Sequence, residues 1–203
     1  SMTRSEAAAI FARLLAEKNG DTISTAANTK FADIPAHAWY SGYVKYLCNN
    51  GITYGKSKTI FAPNDAITRA EFTTMAVRFF DVYGDGDAEI MEQFSGFNDV
   101  SSGYWAAEYI KYAALHGWIN GYGDGSFHAD REINRAEVVT IVNRLLGREA
   151  DEDYIADNLR KLNTFPDVSR KHWAYYAVME AANAHIKDMS RMGRDYLKVG
   201  QIM

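Results

Sequence analysis

Three arginines stand where a helix would ordinarily avoid a cation. Arg4, Arg69 and Arg135 lie 65 and 66 residues apart, inside the phrases Thr3-Arg4-Ser5-Glu6, Thr68-Arg69-Ala70-Glu71 and Asn134-Arg135-Ala136-Glu137. Each phrase opens on an N-capping residue and places a glutamate three positions later, where it can reach back to the cap's amide: a capping box. An arginine in that first turn opposes the positive end of the helix dipole. The same free amides and dipole end favour an anion, and a guanidinium beside them would add a bidentate, charge-assisted contact. The chemistry this arrangement suits is recognition of an anionic group, repeated three times. A competing reading needs no ligand, with each arginine pairing with an acid such as Asp33, Asp99 or Asp167 to hold neighbouring segments together.

Three tryptophans repeat with the same period. Phe31-Ala32-Asp33-Ile34, Phe97-Asn98-Asp99-Val100 and Phe165-Pro166-Asp167-Val168 are each followed, eight residues after the Phe, by Trp39, Trp105 and Trp173. An indole at a helix start can stack on a sugar ring or serve as a packing anchor between segments. Glycine-rich loops follow the first two, at Tyr54-Gly55 and at Gly121-Tyr122-Gly123-Asp124-Gly125, and the distance from tryptophan to the next arginine is 30 residues in both.

The elements that must position these residues are helices. After Glu6 the apolar positions are Ala7, Ile10, Phe11 and Leu14, and the same offsets recur after Glu71 and Glu137, which predicts amphipathic helices, the first over residues 2–17. A second arginine follows each glutamate by seven, as Arg13, Arg78 and Arg144. A helix is expected to start near each tryptophan, with Gly51 and Gly117, each twelve residues past it, as left-handed terminating residues. The acidic stretches 81–96 and 147–164 read as excursions from the repeated core, the second with a short helix around Tyr154–Leu162. The division that follows is 1–30 (arginine helix of a split unit and linker), 31–96 and 97–164 (complete repeats with linkers), and 165–203 (tryptophan segment of the split unit and a tail). If the N-terminal helix docks beside the Trp173 segment, the chain closes a pseudo-threefold ring.

Composition excludes several function classes. A net charge of −4 with dispersed Lys and Arg gives no basic field for nucleic acid or anionic lipid. No apolar run approaches the ~18 residues of a membrane span, no signal-peptide pattern is visible, and localisation is not read from the termini. The single cysteine, Cys48, can form no internal disulfide and has no zinc-ligand neighbours, and the five histidines share no metal-binding spacing. The stretch from Asp81 to Glu92 matches a calcium loop at positions 1, 5, 6 and 12, but Tyr83 occupies a ligand position, so it reads as a solvated acidic loop. No metal or cofactor is expected. No nucleophile elbow, phosphate loop or dinucleotide fingerprint is present, and the carboxylates are distributed symmetrically, unlike the differently tuned pair of a glycosidase.

Taken together, the Phe-x-Asp-Val segments, the tryptophans, the Gly-x-x-x-Gly-x-x-Asp-Gly-x-Phe loop and the Thr-Arg-Ala-Glu phrase resemble the S-layer homology (SLH) family. The fullest stretch is Phe97 to Arg148. The resemblance implies an all-α fold of tandem helix-loop-helix repeats arranged as a three-pronged pseudo-trimer. It implies a secreted, non-catalytic bacterial module that binds wall polysaccharide bearing pyruvate ketals through grooves between repeats, with no oligomer required. By position, the residues it implies for the ligand are Arg4, Arg69 and Arg135; Trp39, Trp105 and Trp173; and Tyr54, Gly55, Tyr122, Gly123 and Asp124. Thr3, Glu6, Thr68, Glu71, Asn134 and Glu137 are the structural caps. The sequence departs from the pattern at Gly55-Lys56-Ser57-Lys58, where an Asp-Gly pair is expected, at His185, where a glycine is expected, and in the tail from Lys187. These departures rank the grooves of Arg69 and Arg135 above that of Arg4. The alternative function is a helical scaffold for protein partners.

Overall fold

The computed structural model describes residues 1–83 and 94–183. The acidic loop weighed for calcium falls largely on 84–93, and His185 and the tail fall on 184–203, so both lie outside the described residues. Among the described residues seven α-helices carry the fold: α1 (Arg4–Asn19), α2 (Ser41–Asn49), α3 (Arg69–Tyr83), α4 (Ala107–Leu115), α5 (Arg135–Leu145), α6 (Glu152–Asn158) and α7 (Tyr175–Ala182), with one 3₁₀ turn at Leu159–Lys161. Among the described residues there are isolated β-bridges but no named strand. The all-α expectation holds. The chain forms two compact units, Ser1–Arg135 and Ala136–Met203.

In the first unit the predicted caps form. The Thr3 amide donates to Glu6 Oε2 at 2.7 Å while the Glu6 amide donates to Thr3 Oγ1 at 3.2 Å. Thr68 and Glu71 repeat the exchange at 3.1 and 3.2 Å. Helix α1 thus starts at Arg4 and ends at Gly20, whose left-handed backbone (φ 71°) lets its amide reach back to the last turn. Gly51 and Gly117 close α2 and α4 with φ of 73° and 67°, as expected of terminating glycines. Helix α1 packs on α2 and on α3, and α3 packs on α4. Phe11 meets Phe72 and Phe79 with ring centroids 5.2 and 5.1 Å apart, and all three rings are fully buried.

The residues just before the three phrases are linked in a cycle. The Met2 amide donates to the Ile133 carbonyl, the Ile133 amide to the Ile67 carbonyl, and the Ile67 amide to the Met2 carbonyl, at 3.2, 3.0 and 2.9 Å. Each residue gives one bond and receives one, so the three residues form a closed ring of hydrogen bonds.

In the second unit, the Asn143 side chain of α5 donates to the Ala177 carbonyl of α7 at 2.9 Å. Ile155 of α6 packs with Tyr175 and Met179 in a small core completed by Leu159, Leu162 and Val168. The short helix expected around 154–162 is α6 with its 3₁₀ turn.

Candidate functional site

The two loops that follow α2 and α4 are built alike. Phe31 and Phe97 lie so close to Gly55 and Gly121 that a Cβ there would stand 2.4 and 2.5 Å from the ring carbons. It would also stand 2.7 Å from the Ile60 carbonyl at Gly55 and 2.6 Å from the Ser126 carbonyl at Gly121. Gly55 is therefore the counterpart of Gly121, and Tyr54 and Tyr122 are not counterparts: one precedes this glycine and the other follows it. Asp33 takes the Phe61 and Ala62 amides at 3.0 and 2.6 Å, and Asp99 takes those of Phe127 and His128, both at 2.7 Å. Ala62 and His128 consequently sit at φ of 58° and 55°, a region that side-chain-bearing residues rarely occupy. Burial pushes the Asp99 carboxyl up, but the Phe127 and His128 amides together bring it below its ordinary value.

This strain turns the loop carbonyl onto the arginine. Arg4 Nε donates to the Phe61 carbonyl at 2.8 Å, and Arg69 Nε to the Phe127 carbonyl at 2.9 Å. The guanidinium groups also lie over the Phe61 and Phe127 rings, at 5.0 and 4.5 Å. Both arginines are almost fully buried, 4% and 5% exposed. Arg4 Nη1 pairs with Glu71 Oε1 at 2.8 Å. Arg69 Nη2 reaches the Asn120 carbonyl at 3.4 Å, and its guanidinium lies 5.1 Å from the Tyr122 ring. The suggestion that these arginines pair with Asp33 and Asp99 is corrected: those carboxylates hold loop amides, and the acid opposite Arg4 is the capping glutamate of the next phrase. The same Glu recurs in each phrase, and its capping bond conceals in sequence the second partner it takes here.

Arg135 is placed differently. Its side chain is 64% exposed, and its Nη2 meets Glu6 Oε1 at 3.1 Å. The Glu6 carboxyl lies below its ordinary value, first because the Thr3 amide bonds to it and then through Arg135, while burial opposes both. Asn134 and Glu137 stand at the start of α5, with Glu137 buried.

The tryptophans are not core anchors. Trp39, Trp105 and Trp173 are 54%, 57% and 64% exposed. Trp39 has its edge against Tyr40 and Tyr43 at 5.4 and 6.3 Å, which leaves much of the indole to solvent. Tyr54 is exposed as well. Tyr122 accepts a hydrogen bond from Arg131. A side chain at Gly123 would meet nothing, while Asp124 folds back onto the Ser126 hydroxyl and amide at 2.6 and 3.0 Å, which lowers its pKa. Beside this loop lies an open cavity of about 500 Å³ lined by Asp99, Tyr104, His128, Asp130 and Arg131. Tyr104 donates to Asp130 at 2.6 Å there, and burial, then that carboxylate, pushes its pKa up to about 12.

The sequence missed the tyrosine partners of the second arginines. Arg13 contacts the Tyr43 ring at 5.2 Å, and Arg78 lies between Tyr54 and Tyr109 at 4.9 and 5.0 Å. The spacing from arginine to tyrosine, 30 and 31 residues, was available to find them.

Comparison with known proteins agrees with this repeat architecture. The S-layer homology domain matches twice, at residues 30–73 and 96–139. Cell surface glycoprotein 1 of Acetivibrio thermocellus is 33% identical over 193 residues, covering 91% of this chain and 8% of that protein. The cellulosome-anchoring protein of the same organism is 29% identical over 199 residues, 97% of this chain and 42% of that protein. The surface-layer 125 kDa protein of Lysinibacillus sphaericus is 31% identical over 150 residues, 72% and 12% respectively. The chain thus spans less than half the length of each of these relatives. With the phrases, the clamped loops and the exposed tryptophans recurring at the matched positions, the chain belongs to the S-layer homology family and carries its domain in tandem.

Proposed function

We propose that this chain is a non-catalytic anchoring module of a bacterial cell-surface protein, holding it to the wall by binding secondary wall polysaccharide. The observation that carries the reading is the exposure of Trp39, Trp105 and Trp173, one at the same place in each repeat. Large aromatics left open at equivalent positions suit the flat apolar face of a sugar ring, and nothing in the folding of a helix pair requires them there. The relatives named for surface layers and for anchoring support the same reading. The working repeats remain 31–96 and 97–164, with the split unit at the two ends.

The polymer favoured is one bearing pyruvate ketals, whose carboxylate would meet the cations and loop amides around Tyr54-Gly55 and Tyr122-Gly123-Asp124. In this reading Arg4 and Arg69 act through the loops they hold, and Arg135 offers an open side chain. The test is co-sedimentation of the purified chain with cell-wall sacculi, before and after chemical removal of pyruvate. Binding that disappears with pyruvate, and weakens in Trp105→Ala while the helical circular-dichroism signal is unchanged, is the expected result. Retained binding after that treatment would refute the ketal. If a protein partner is captured and wall sugars fail to compete with it, the scaffold reading replaces this one.

A further inference from the structure

The cations around the first loop are not equivalent as anion receptors. Arg4 is buried, gives Nε to the Phe61 carbonyl and has its charge matched by Glu71 at 2.8 Å. An incoming carboxylate could engage it only by displacing a desolvated partner, which leaves Glu71 uncompensated. Arg78 is half-buried and has neutral partners: its Nη2 and Nε point at the Tyr109 hydroxyl at 3.0 and 3.3 Å. No carboxylate among the described residues pairs with it. The Tyr54 and Tyr109 rings flank its guanidinium at 4.9 and 5.0 Å.

We propose that Arg78, held between Tyr54 and Tyr109, is the direct anion contact of this groove and takes a carboxylate or phosphate substituent of a wall polysaccharide. This rests on the wall-binding function proposed above. A guanidinium between two rings is pre-oriented and weakly hydrated, so little ordering or desolvation opposes the bond to an oxyanion, and the donors not used on Tyr109 remain for a two-pronged contact. The rings that hold it also offer faces to the sugar carrying the charge, and Tyr54 is 55% exposed. Lys30, whose Nζ lies 6.0 Å from the Tyr54 ring, adds a second positive charge to the same aromatic. Arg4 is then a positioning residue that fixes the loop on which Tyr54 stands. Among the described residues the counterpart Arg13 lies over one ring, that of Tyr43 at 5.2 Å, and is the weaker receptor.

The experiment is calorimetric titration of the full chain with polysaccharide released from sacculi, comparing the wild type with Arg78→Met, Arg78→Lys and Tyr109→Phe. The expected result is a loss of affinity of about tenfold or more for Arg78→Met, partial retention for Arg78→Lys, and a flatter salt dependence in Arg78→Met. If Arg78→Met fails to fold, Arg78→Lys and Tyr109→Phe decide, because both keep the bulk of the packing. Removing pyruvate by mild acid and phosphate by hydrofluoric acid, in separate samples, identifies the carboxylate or the phosphate as the group whose loss abolishes the difference between wild type and variant. A difference that survives both treatments overturns the anionic ligand. A wild type that binds alongside variants that bind equally well overturns the role of Arg78 while leaving wall binding intact. A wild type that binds no wall polysaccharide overturns the function itself.

Discussion

Arg4 and Arg135 open the same kind of helix from nearly the same phrase, yet one is 5% exposed in its side chain and the other 64%. The difference lies in what covers them. Arg4 is roofed by a loop whose carbonyl is turned inward by Asp33, as Arg69 is by the loop that Asp99 holds. Among the described residues Arg135 meets the Glu6 carboxylate, and its side chain stays exposed. A repeated residue therefore need not have a repeated role, because burial decides whether a guanidinium is structural framework or an open cation. The ranking from sequence, which set Arg4 last, followed loop composition. In the structure Arg4 and Arg69 share a geometry, and Arg135 is the one that departs.

The sharpest way to break this comparison is to remove the two charges in turn. Arg4→Met leaves Glu71 and the Phe61 carbonyl without their partner and is expected to cost about 3 kcal/mol. Arg135→Met removes an exposed pair and is expected to cost less than about 1 kcal/mol. Urea unfolding of both measures the contrast, and equal losses would show that burial is not what separates them.

Next in size is the carboxylate beneath the second loop. Asp99→Asn keeps the shape but cannot accept both amides as a charged acceptor, and is expected to cost about 2 kcal/mol. The pH dependence has a definite sign. Asp99 and Glu6 both lie below their ordinary values in the folded chain, so the stability they contribute is present above those values. It is lost as the pH falls from about 5 through the lowered pKa values. Asp99→Asn should therefore flatten the acid limb of a stability profile, and an unchanged limb would place the acid sensitivity elsewhere.

The smallest expected effect separates the two loops. Ala62→Gly relieves the positive φ and, after the added chain entropy of glycine, is expected to stabilise by about 0.5 kcal/mol. His128→Gly relieves the same strain but removes a ring nitrogen 3.0 Å from Ser126 Oγ and a ring packed at a tilt 4.8 Å from that of Tyr122, so it should gain less or lose. Thermal melts of the pair measure this, and an identical gain would mean the His128 contacts contribute nothing.

Much of this was legible in the residues. The capping boxes, the helix faces and the glycines that end α2 and α4 follow from local chemistry, and local chemistry is what a spacing reports. The inward turn of the loop was not legible, because it depends on a carboxylate 28 residues earlier in sequence catching two consecutive amides. Nor was the pairing of Arg4 with Glu71, since a glutamate that caps its own helix offers no sign of a second partner. The tryptophans could be read either way until their exposure was known. Gly55 and Gly121 show the opposite limit: the loop motif aligned two tyrosines that the backbone sets on opposite sides of one glycine.

The cycle through Met2, Ile67 and Ile133 also bears on how the chain is made and how it can change. Its longest bond, from Met2 to Ile133, joins residues more than a hundred positions apart, so the cycle cannot close during synthesis until the third phrase has left the ribosome, and contacts of such long sequence separation slow folding. A solenoid can lengthen by one more repeat at an open end. A cycle in which each amide is already spent on the next carbonyl has no place for a fourth phrase. Greater avidity for a polymer would then have to come from duplicating a whole trio, or from many copies of the protein on one surface.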